Sequence, residues 1–108
     1  MKQPEKSMRN TYKIIWTSRA LSDLKNTIAY LEENWTSREI QKFALLLDLQ
    51  LNRLKIYPNL FPESHRYKKI RKSVLTRQVS MYYRVVNQEI QIISLFDNRQ
   101  NPKKLDQI

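Results

Sequence analysis

The order of apolar patterns along the chain predicts an α+β domain in which a helical hairpin packs on one face of a mostly antiparallel sheet. A short β-rich segment comes first, and two stretches of helical periodicity follow it almost without a break. From about residue 66 onward, β-branched, aromatic and basic side chains dominate. The predicted order is strand, helix, helix, strand, strand, strand, in a single domain over residues 12–108 that follows a flexible leader at 1–11.

The first strand and the first helix are predicted at the start of this domain. The strand covers residues 12–16, whose side chains favour extended backbone. Ser18 is the expected N-cap of the helix. Asn34 is its expected end, because asparagine tolerates the left-handed conformation that closes many helices. Steps of three and four residues place five apolar side chains on one stripe: Leu21, Leu24, Ile28, Leu31 and Trp35.

The second helix begins one or two residues later, so the two helices should form an antiparallel hairpin. Thr36 and Glu39 have the spacing of a capping box. Pro58 ends the helix near Tyr57 because proline lacks a backbone donor. Its apolar stripe consists of Ile40, Phe43, Ala44, Leu47, Leu51 and Leu54. Three further leucines predict burial on more than one side of this helix: Leu45, Leu46 and Leu49.

Three strands are predicted in the second half of the chain, around residues 66–75, 79–86 and 89–96. Asn87 and Gln88 form a tight hairpin turn between the last two strands. In the middle strand, alternation assigns a core face to Val79, Met81, Tyr83 and Val85. The same alternation predicts a polar, cationic face formed by Ser80, Tyr82 and Arg84.

The composition excludes several classes of functional site. The 108 residues include 20 Lys and Arg against 10 Asp and Glu, with no Cys, no Gly and one His. Without Cys there is no disulfide, thiolate nucleophile or Cys-ligated zinc. Without Gly there is no Walker loop and no dinucleotide-binding fingerprint. We therefore expect neither a metal nor a cofactor, and the remaining classes are general acid–base, Arg/Lys-electrostatic and purely binding functions.

The chain also lacks the sequence features of membrane insertion and secretion. No apolar run reaches the roughly 18 residues that a membrane span needs. The first ten residues are polar and contain no apolar stretch of the kind found in signal peptides. We expect a cytoplasmic protein without a membrane partner.

The net charge of +10 is concentrated in one part of the chain. Residues 64–88 contain seven Lys or Arg residues and no acidic residue. Phosphates held by such a cluster would release counterions, and exposed tyrosines beside the cations could stack on bases. The candidate residues for binding a nucleic acid or another target are Lys68, Lys69, Arg71, Lys72, Arg77 and Arg84. The alternative is that these charges only keep an edge strand soluble.

Several segments, in order, resemble the RelE/ParE family of toxins over about residues 12–105. The segments are Ile14-Ile15-Trp16, Ala20-Leu21-Ser22-Asp23-Leu24 with Ile28 and Tyr30, Lys69-Ile70-Arg71-Lys72-Ser73-Val74, Met81-Tyr82-Tyr83-Arg84-Val85, and Ile90 through Arg99 to Pro102. No single segment is specific to this family, but the segments taken together, in this order and at this chain length, are. The resemblance implies the α+β fold predicted above and a toxin of a type II toxin–antitoxin module.

The resemblance also implies a partner and two possible targets. Such toxins are neutralised by a cognate antitoxin. RelE-like members cut mRNA in the ribosome's decoding site, whereas ParE-like members inhibit DNA gyrase and are not enzymes of this kind. Whether this chain is an endoribonuclease therefore depends on whether it belongs to the RelE-like or the ParE-like branch of the family. A separate alternative, drawn from the charge alone, is a non-enzymatic, basic nucleic-acid-binding module.

Candidate catalytic residues follow from the RelE-like branch, whose members use basic residues on the second and third strands and an Arg after the last strand. Such cleavage requires cations that stabilise the charge on the phosphorane. Arg71 lies at the second-strand position and Arg99 at the position after the last strand. The basic residue expected on the third strand would fall near Ser80, which is not basic. Arg77 and Arg84, on either side of that position, are the alternatives.

The same branch uses a Tyr or His near the C-terminus as an acid or base, and the tail at residues 103–108 contains neither. Tyr82 is the alternative, because it shares a predicted strand face with Arg84 and a nearby cation lowers a phenol's pKa. His65, in a proline-containing loop, is a second alternative. Candidate antitoxin contacts are the large apolar side chains of the helical hairpin, Tyr30, Trp35 and Phe43.

Overall fold

The computed structural model describes residues 11–98, so most of the expected leader and the tail that contains Arg99 lie outside the described residues. The predicted order of elements is confirmed. The elements are β1 (Lys13–Trp16), α1 (Ser18–Asn34), α2 (Ser37–Ile56), β2 (Arg71–Val74), β3 (Val79–Val86) and β4 (Glu89–Asp97).

The four strands form one mixed sheet in the order β1-β4-β3-β2. β3 is antiparallel to both of its neighbours, as the hairpin signal predicted, whereas β1 is parallel to β4. The turn between β3 and β4 includes Asn87 with φ 56°, a left-handed conformation that asparagine adopts readily. A bulge at Tyr82 and Tyr83 shifts the register between β3 and β4.

The caps of α1 differ from the prediction. Thr17, not Ser18, is the N-cap, and its hydroxyl accepts the Ala20 N–H while also donating to the Ile92 carbonyl of β4. Thr17 can do both because it lies where the end of β1 meets the helix. At the other end the chain leaves α1 through Trp35 in extended conformation, and Asn34 is not left-handed. The Asn34 side chain instead donates to the Tyr30 carbonyl.

The predicted boundaries of α2 are confirmed. Thr36 and Glu39 form the capping box, and the helix ends at Ile56 with Tyr57 as its C-cap. The prediction that the additional leucines bury a second side of α2 is wrong for the described chain. Leu45 and Leu49 are exposed, because no described element packs on that side.

The main core lies between the two helices and one face of the sheet. Its members from α1, α2 and the sheet are Ala20, Leu31, Phe43, Leu47, Leu54, Leu75, Val79, Met81, Tyr83, Ile90, Ile92 and Leu95. The predicted core face of β3 is therefore confirmed. On α1 the stripe is only partly buried, since Leu21 and Ile28 remain exposed.

A smaller apolar cluster covers the opposite face of the sheet. Tyr82 and Phe96 are buried there against Tyr67, Ile70 and Ile93. The segment between α2 and β2 supplies this cover, and it is held in a turn in which the Ser64 hydroxyl accepts the N–H groups of residues 66 and 67. Two predictions are corrected as a result.

First, β2 is shorter than the predicted strand at 66–75, because residues before Arg71 turn over the sheet and Lys69 has a left-handed φ of 63°. Second, the face predicted to be polar and cationic is largely covered. Ser80 and Tyr82 are buried, and Arg84 alone of the three remains exposed.

Candidate functional site

Arg71 and Tyr82, two of the residues expected to act together, lie on opposite faces of the sheet. The antiparallel register pairs Arg71 with Tyr83 and Lys72 with Tyr82. Directly paired residues point to the same face, and neighbours along a strand point to opposite faces. Tyr83 belongs to the core under the helices, whereas Tyr82 packs with Phe96 on the other face. One phosphate cannot contact both side chains.

Arg71 is engaged in a structural contact. Its Nη1 donates to the Phe61 carbonyl at 2.6 Å, and the Tyr83 hydroxyl donates to the Pro58 carbonyl at 3.0 Å. Both bonds fasten the segment after α2 to the edge of the sheet. Burial raises the pKa of Tyr83, and the Phe61 backbone and the Arg71 guanidinium oppose that rise. Arg71 therefore holds the chain that turns over the sheet.

Tyr82 is poorly suited to act as a base. It is 5% exposed, and burial raises its pKa although the Arg66 guanidinium acts in the opposite direction. A general base near neutral pH needs a pKa moved toward the operating pH, not away from it. The ring of Tyr67 packs edge-on against Tyr82 at 6.5 Å, and Lys72 Nζ lies 6.0 Å from the centre of the Tyr82 ring.

Arg84 lies on the same face as Tyr82, two residues along β3. Its Nε donates to Gln91 Oε1 at 2.8 Å, across the pair of strands. Because the side chain is exposed, it is accessible to a macromolecule. Of the candidate catalytic set, Arg99 lies outside the described residues.

A groove of about 680 Å³ opens on this covered face of the sheet. His65, Arg66 and Lys72 line it together with Tyr82 and Phe96. The Arg66 guanidinium lies 5.6 Å from the centre of the Tyr67 ring, a cation–π distance. The sequence indicated His65 and Lys72 separately, but it gave no signal that the segment between α2 and β2 would bring them together with Arg66.

The remaining basic candidates lie on turns at the edges of the sheet. Lys68 and Lys69 belong to the turn before β2, where the Lys69 N–H donates to Glu63 Oε1 at 3.1 Å. Arg77 lies in the turn between β2 and β3. All three are exposed. The basic segment is thus divided between two faces and two turns, not gathered on one flat surface.

The candidate antitoxin contacts differ in exposure. Tyr30 is exposed in a groove of about 300 Å³ between α1 and the ends of β3 and β4. Trp35 is half-buried in a second groove that Leu75 also lines. Phe43 is 2% exposed and belongs to the core, which leaves it without the surface that a partner contact needs.

One structural link was not anticipated from the sequence. Asp23 on α1 accepts a hydrogen bond from the Ser94 hydroxyl at 2.7 Å and another from the Leu95 N–H at 3.2 Å. Arg19 lies 3.7 Å from the same carboxylate oxygen. The carboxylate thereby ties α1 to the bulged strand β4. No spacing signal predicts a contact between residues so far apart in sequence.

The described part of the chain contains neither a candidate membrane-spanning helix nor a candidate metal cluster. None of its helices is both long and apolar enough to cross a membrane. Among residues 11–98, no three His, Asp or Glu side chains are grouped so that they could hold a metal ion.

Comparison with known proteins relates the fold to characterised systems. A family model described as the ParE toxin of the type II toxin–antitoxin system, parDE, matches residues 14–102. Among solved structures, the chain is similar to one of the chromosomal ParDE system from P. aeruginosa, with 20% sequence identity and a TM-score of 0.67. That alignment covers 82% of this chain and 97% of the other.

Two further structures share the fold at lower similarity. The conserved hypothetical protein HP0894 from Helicobacter pylori aligns with 15% identity and a TM-score of 0.54, over 82% of this chain and 97% of that one. The E. coli DinJ-YafQ complex contributes a chain with 13% identity and a TM-score of 0.52, over 81% and 93% respectively. Among curated proteins, no sequence matches. At these identities the structural similarities establish the fold alone.

Proposed function

Because the chain belongs to the ParE toxin family of type II toxin–antitoxin systems, we propose that it is a toxin that inhibits DNA gyrase and that a cognate antitoxin neutralises it. The gyrase target is the one that the resemblance to ParE-like members implies. In this proposal the protein acts by binding and performs no RNA cleavage.

The observation that favours binding over catalysis is the separation of Arg71 from Tyr82. The register of β2 and β3 directs these side chains to opposite faces. In-line cleavage of RNA needs a base and cations around the same phosphate. A buried phenol with a raised pKa on one face and an arginine bonded to a backbone carbonyl on the other do not form such a site.

Two exposed cations, one in the turn between β2 and β3 and one on β3, supply a binding surface instead. Arg77 and Arg84 are exposed, and neither has an acidic ion-pair partner within residues 11–98. A positive surface of this kind attracts an anionic partner and speeds the encounter with it. In the proposal these residues contact the gyrase–DNA complex.

The cognate antitoxin is the second partner in the proposal. The solved relatives include toxins from the ParDE and DinJ-YafQ pairs, which supports an antitoxin partner for this chain. Tyr30 and Trp35 are the accessible anchors on the helical hairpin. Their two grooves lie on either side of the turn that joins β2 and β3, so one antitoxin segment that crosses this turn would contact both.

Parallel assays with purified components test the target. The wild-type chain is expected to block DNA supercoiling by gyrase and to leave mRNA intact on translating ribosomes. Arg77→Glu with Arg84→Glu should weaken the inhibition by at least about tenfold, because the substitutions reverse the charge of the proposed contact. Lys25→Glu with Arg38→Glu, a double charge reversal at exposed residues of the two helices, is the matched control and should inhibit like the wild type. Cleaved mRNA together with unaffected gyrase would overturn the proposal.

A second candidate function, ribosome-dependent cleavage of mRNA, is favoured by one observation. The groove beside Tyr82 brings together His65, Arg66 and Lys72, which offer an imidazole and two cations. If this groove cleaves RNA, His65→Gln abolishes cleavage without changing the folded structure. A His65→Gln variant that still arrests growth would exclude it.

A further inference from the structure

A second apolar stripe runs along α2 on the side opposite the core. Leu45, Leu49 and Ile56 are 70%, 46% and 55% exposed. At 100° per residue these positions fall within a narrow sector, and the buried Phe43, Leu47 and Leu54 fall on the other side of the helix. α2 is therefore apolar on two opposite sides, and only one of them is covered within the described chain.

The spacing of this stripe is that of a coiled-coil seam. Leu45, Leu49, Asn52 and Ile56 follow one another at steps of four, three and four residues, which are the a and d positions of a heptad. Asn52 is the one polar member of this series. Here the Asn52 amide lies 3.5 Å from the Asp48 carboxylate, beside the seam.

The distribution of charge favours a second copy of this chain over an acidic partner on the stripe. α2 contains four basic and two acidic residues, whereas residues 64–88 contain seven basic residues and no acidic one. An acidic partner is drawn mainly to the more basic segment. α2 carries less excess positive charge than residues 64–88, so a like-charged copy approaches α2 at a lower electrostatic cost than it approaches that segment.

We infer that two copies of this chain associate through antiparallel packing of α2 on α2. In that arrangement Leu45 of one copy faces Ile56 of the other, and Leu49 faces Asn52. Asp48 and Lys55 flank the seam on the same side, so each Asp48 meets a Lys55 of opposite charge across the interface. A parallel arrangement is disfavoured because it places Lys42 against Lys42 in the same layer.

Sedimentation equilibrium of the purified full chain over a wide concentration series tests the inference. The average mass should rise with concentration from 13.1 kDa toward twice that value. Leu49→Glu should weaken self-association by at least about tenfold, because it places two unpaired carboxylates in the seam. Leu21→Glu is the matched control, since Leu21 is 50% exposed on α1 and lies off the stripe. It should self-associate like the wild type.

The flanking charges provide a second test that does not depend on the leucines. Asp48→Lys and Lys55→Asp should each weaken the dimer, and the double variant should recover it because it restores opposite charges. Circular dichroism confirms that each variant is folded. A wild-type chain that stays at 13.1 kDa throughout overturns the inference. The inference also fails if the Leu49→Glu variant dimerises normally. It fails likewise if the wild type is monomeric and Leu49→Glu instead abolishes binding of the antitoxin.

Discussion

Replacing Arg71 distinguishes a structural role from a catalytic one. Arg71→Ala removes the guanidinium that donates to the Phe61 carbonyl and leaves that carbonyl without this donor. A hydrogen bond from a charged donor contributes about 1.5–3 kcal/mol, so the free energy of unfolding should fall by about 2 kcal/mol. Arg84→Ala is the control, because Arg84 is exposed and bonds only to another side chain; its loss should cost less than about 0.5 kcal/mol.

The neighbouring Tyr83 allows this magnitude to be checked by a double-mutant cycle. Tyr83→Phe removes the bond to the Pro58 carbonyl and should cost about 1 kcal/mol. Both bonds fasten the same segment after α2, so the two losses should be non-additive by about 0.5 kcal/mol or more. Additive losses would show that the two anchors act on that segment independently.

Urea unfolding measures these stabilities, and growth arrest at matched levels of folded protein measures toxicity. We expect Arg71→Ala to be less stable while the toxicity of each folded molecule stays within a few-fold of the wild type. A variant of unchanged stability that loses toxicity by tenfold or more would refute the reasoning and place Arg71 in a catalytic site.

Three further predictions concern stability and are measured by urea unfolding. Asp23→Ala should lose about 2–4 kcal/mol, because two donors from β4 lose their shared carboxylate, and Asp23→Asn should lose less. Ser73→Ala should be neutral or stabilising by up to about 1 kcal/mol, because this fully buried hydroxyl finds no hydrogen-bond partner among the described residues. The free energy of unfolding should decline as the pH rises above 10.0. Burial raises the pKa of Tyr82 and Tyr83 in the folded state, so the unfolded chain loses its phenolic protons at a lower pH than the folded protein does. Tyr83→Phe should make this decline shallower; an unchanged slope would contradict the assignment.

The elements that depend on local signals were predictable from the sequence. The capping box at Thr36 and Glu39 and the stop before Pro58 set the boundaries of α2 by contacts within a few residues. The left-handed turn at Asn87 is equally local. The N-cap of α1 is Thr17 and not the predicted Ser18; besides its local bond to the Ala20 N–H, the Thr17 hydroxyl donates to the Ile92 carbonyl, far away in sequence. Local spacing carries no information about such a partner.

The exposure of the candidate site was not predictable for the same reason. Alternation correctly placed Tyr82 on the face opposite Tyr83, but it could not indicate that the chain around Tyr67 covers that face. The left-handed Lys69 shortens β2 and directs this cover over the sheet. Propensity alone predicted a longer strand, because the residues there are aromatic, basic and β-branched. The resemblance supplied the residue types of a site without indicating which of them would meet.

The way the sheet divides the basic segment limits what the segment can do. Neighbouring positions on β2 direct Arg71 toward the helices and Lys72 toward the groove. The turn residues Lys68 and Arg77 lie at separate ends of the strand. Charges spread over two faces and two turns add to a long-range field that attracts an anionic surface, because Coulomb attraction does not require convergence on one atom. Proton transfer and phosphorane stabilisation do require the participating groups to converge on one atom, at distances of about 3 Å. The arrangement of the described residues therefore favours recognition of an extended target over chemistry at a single phosphate.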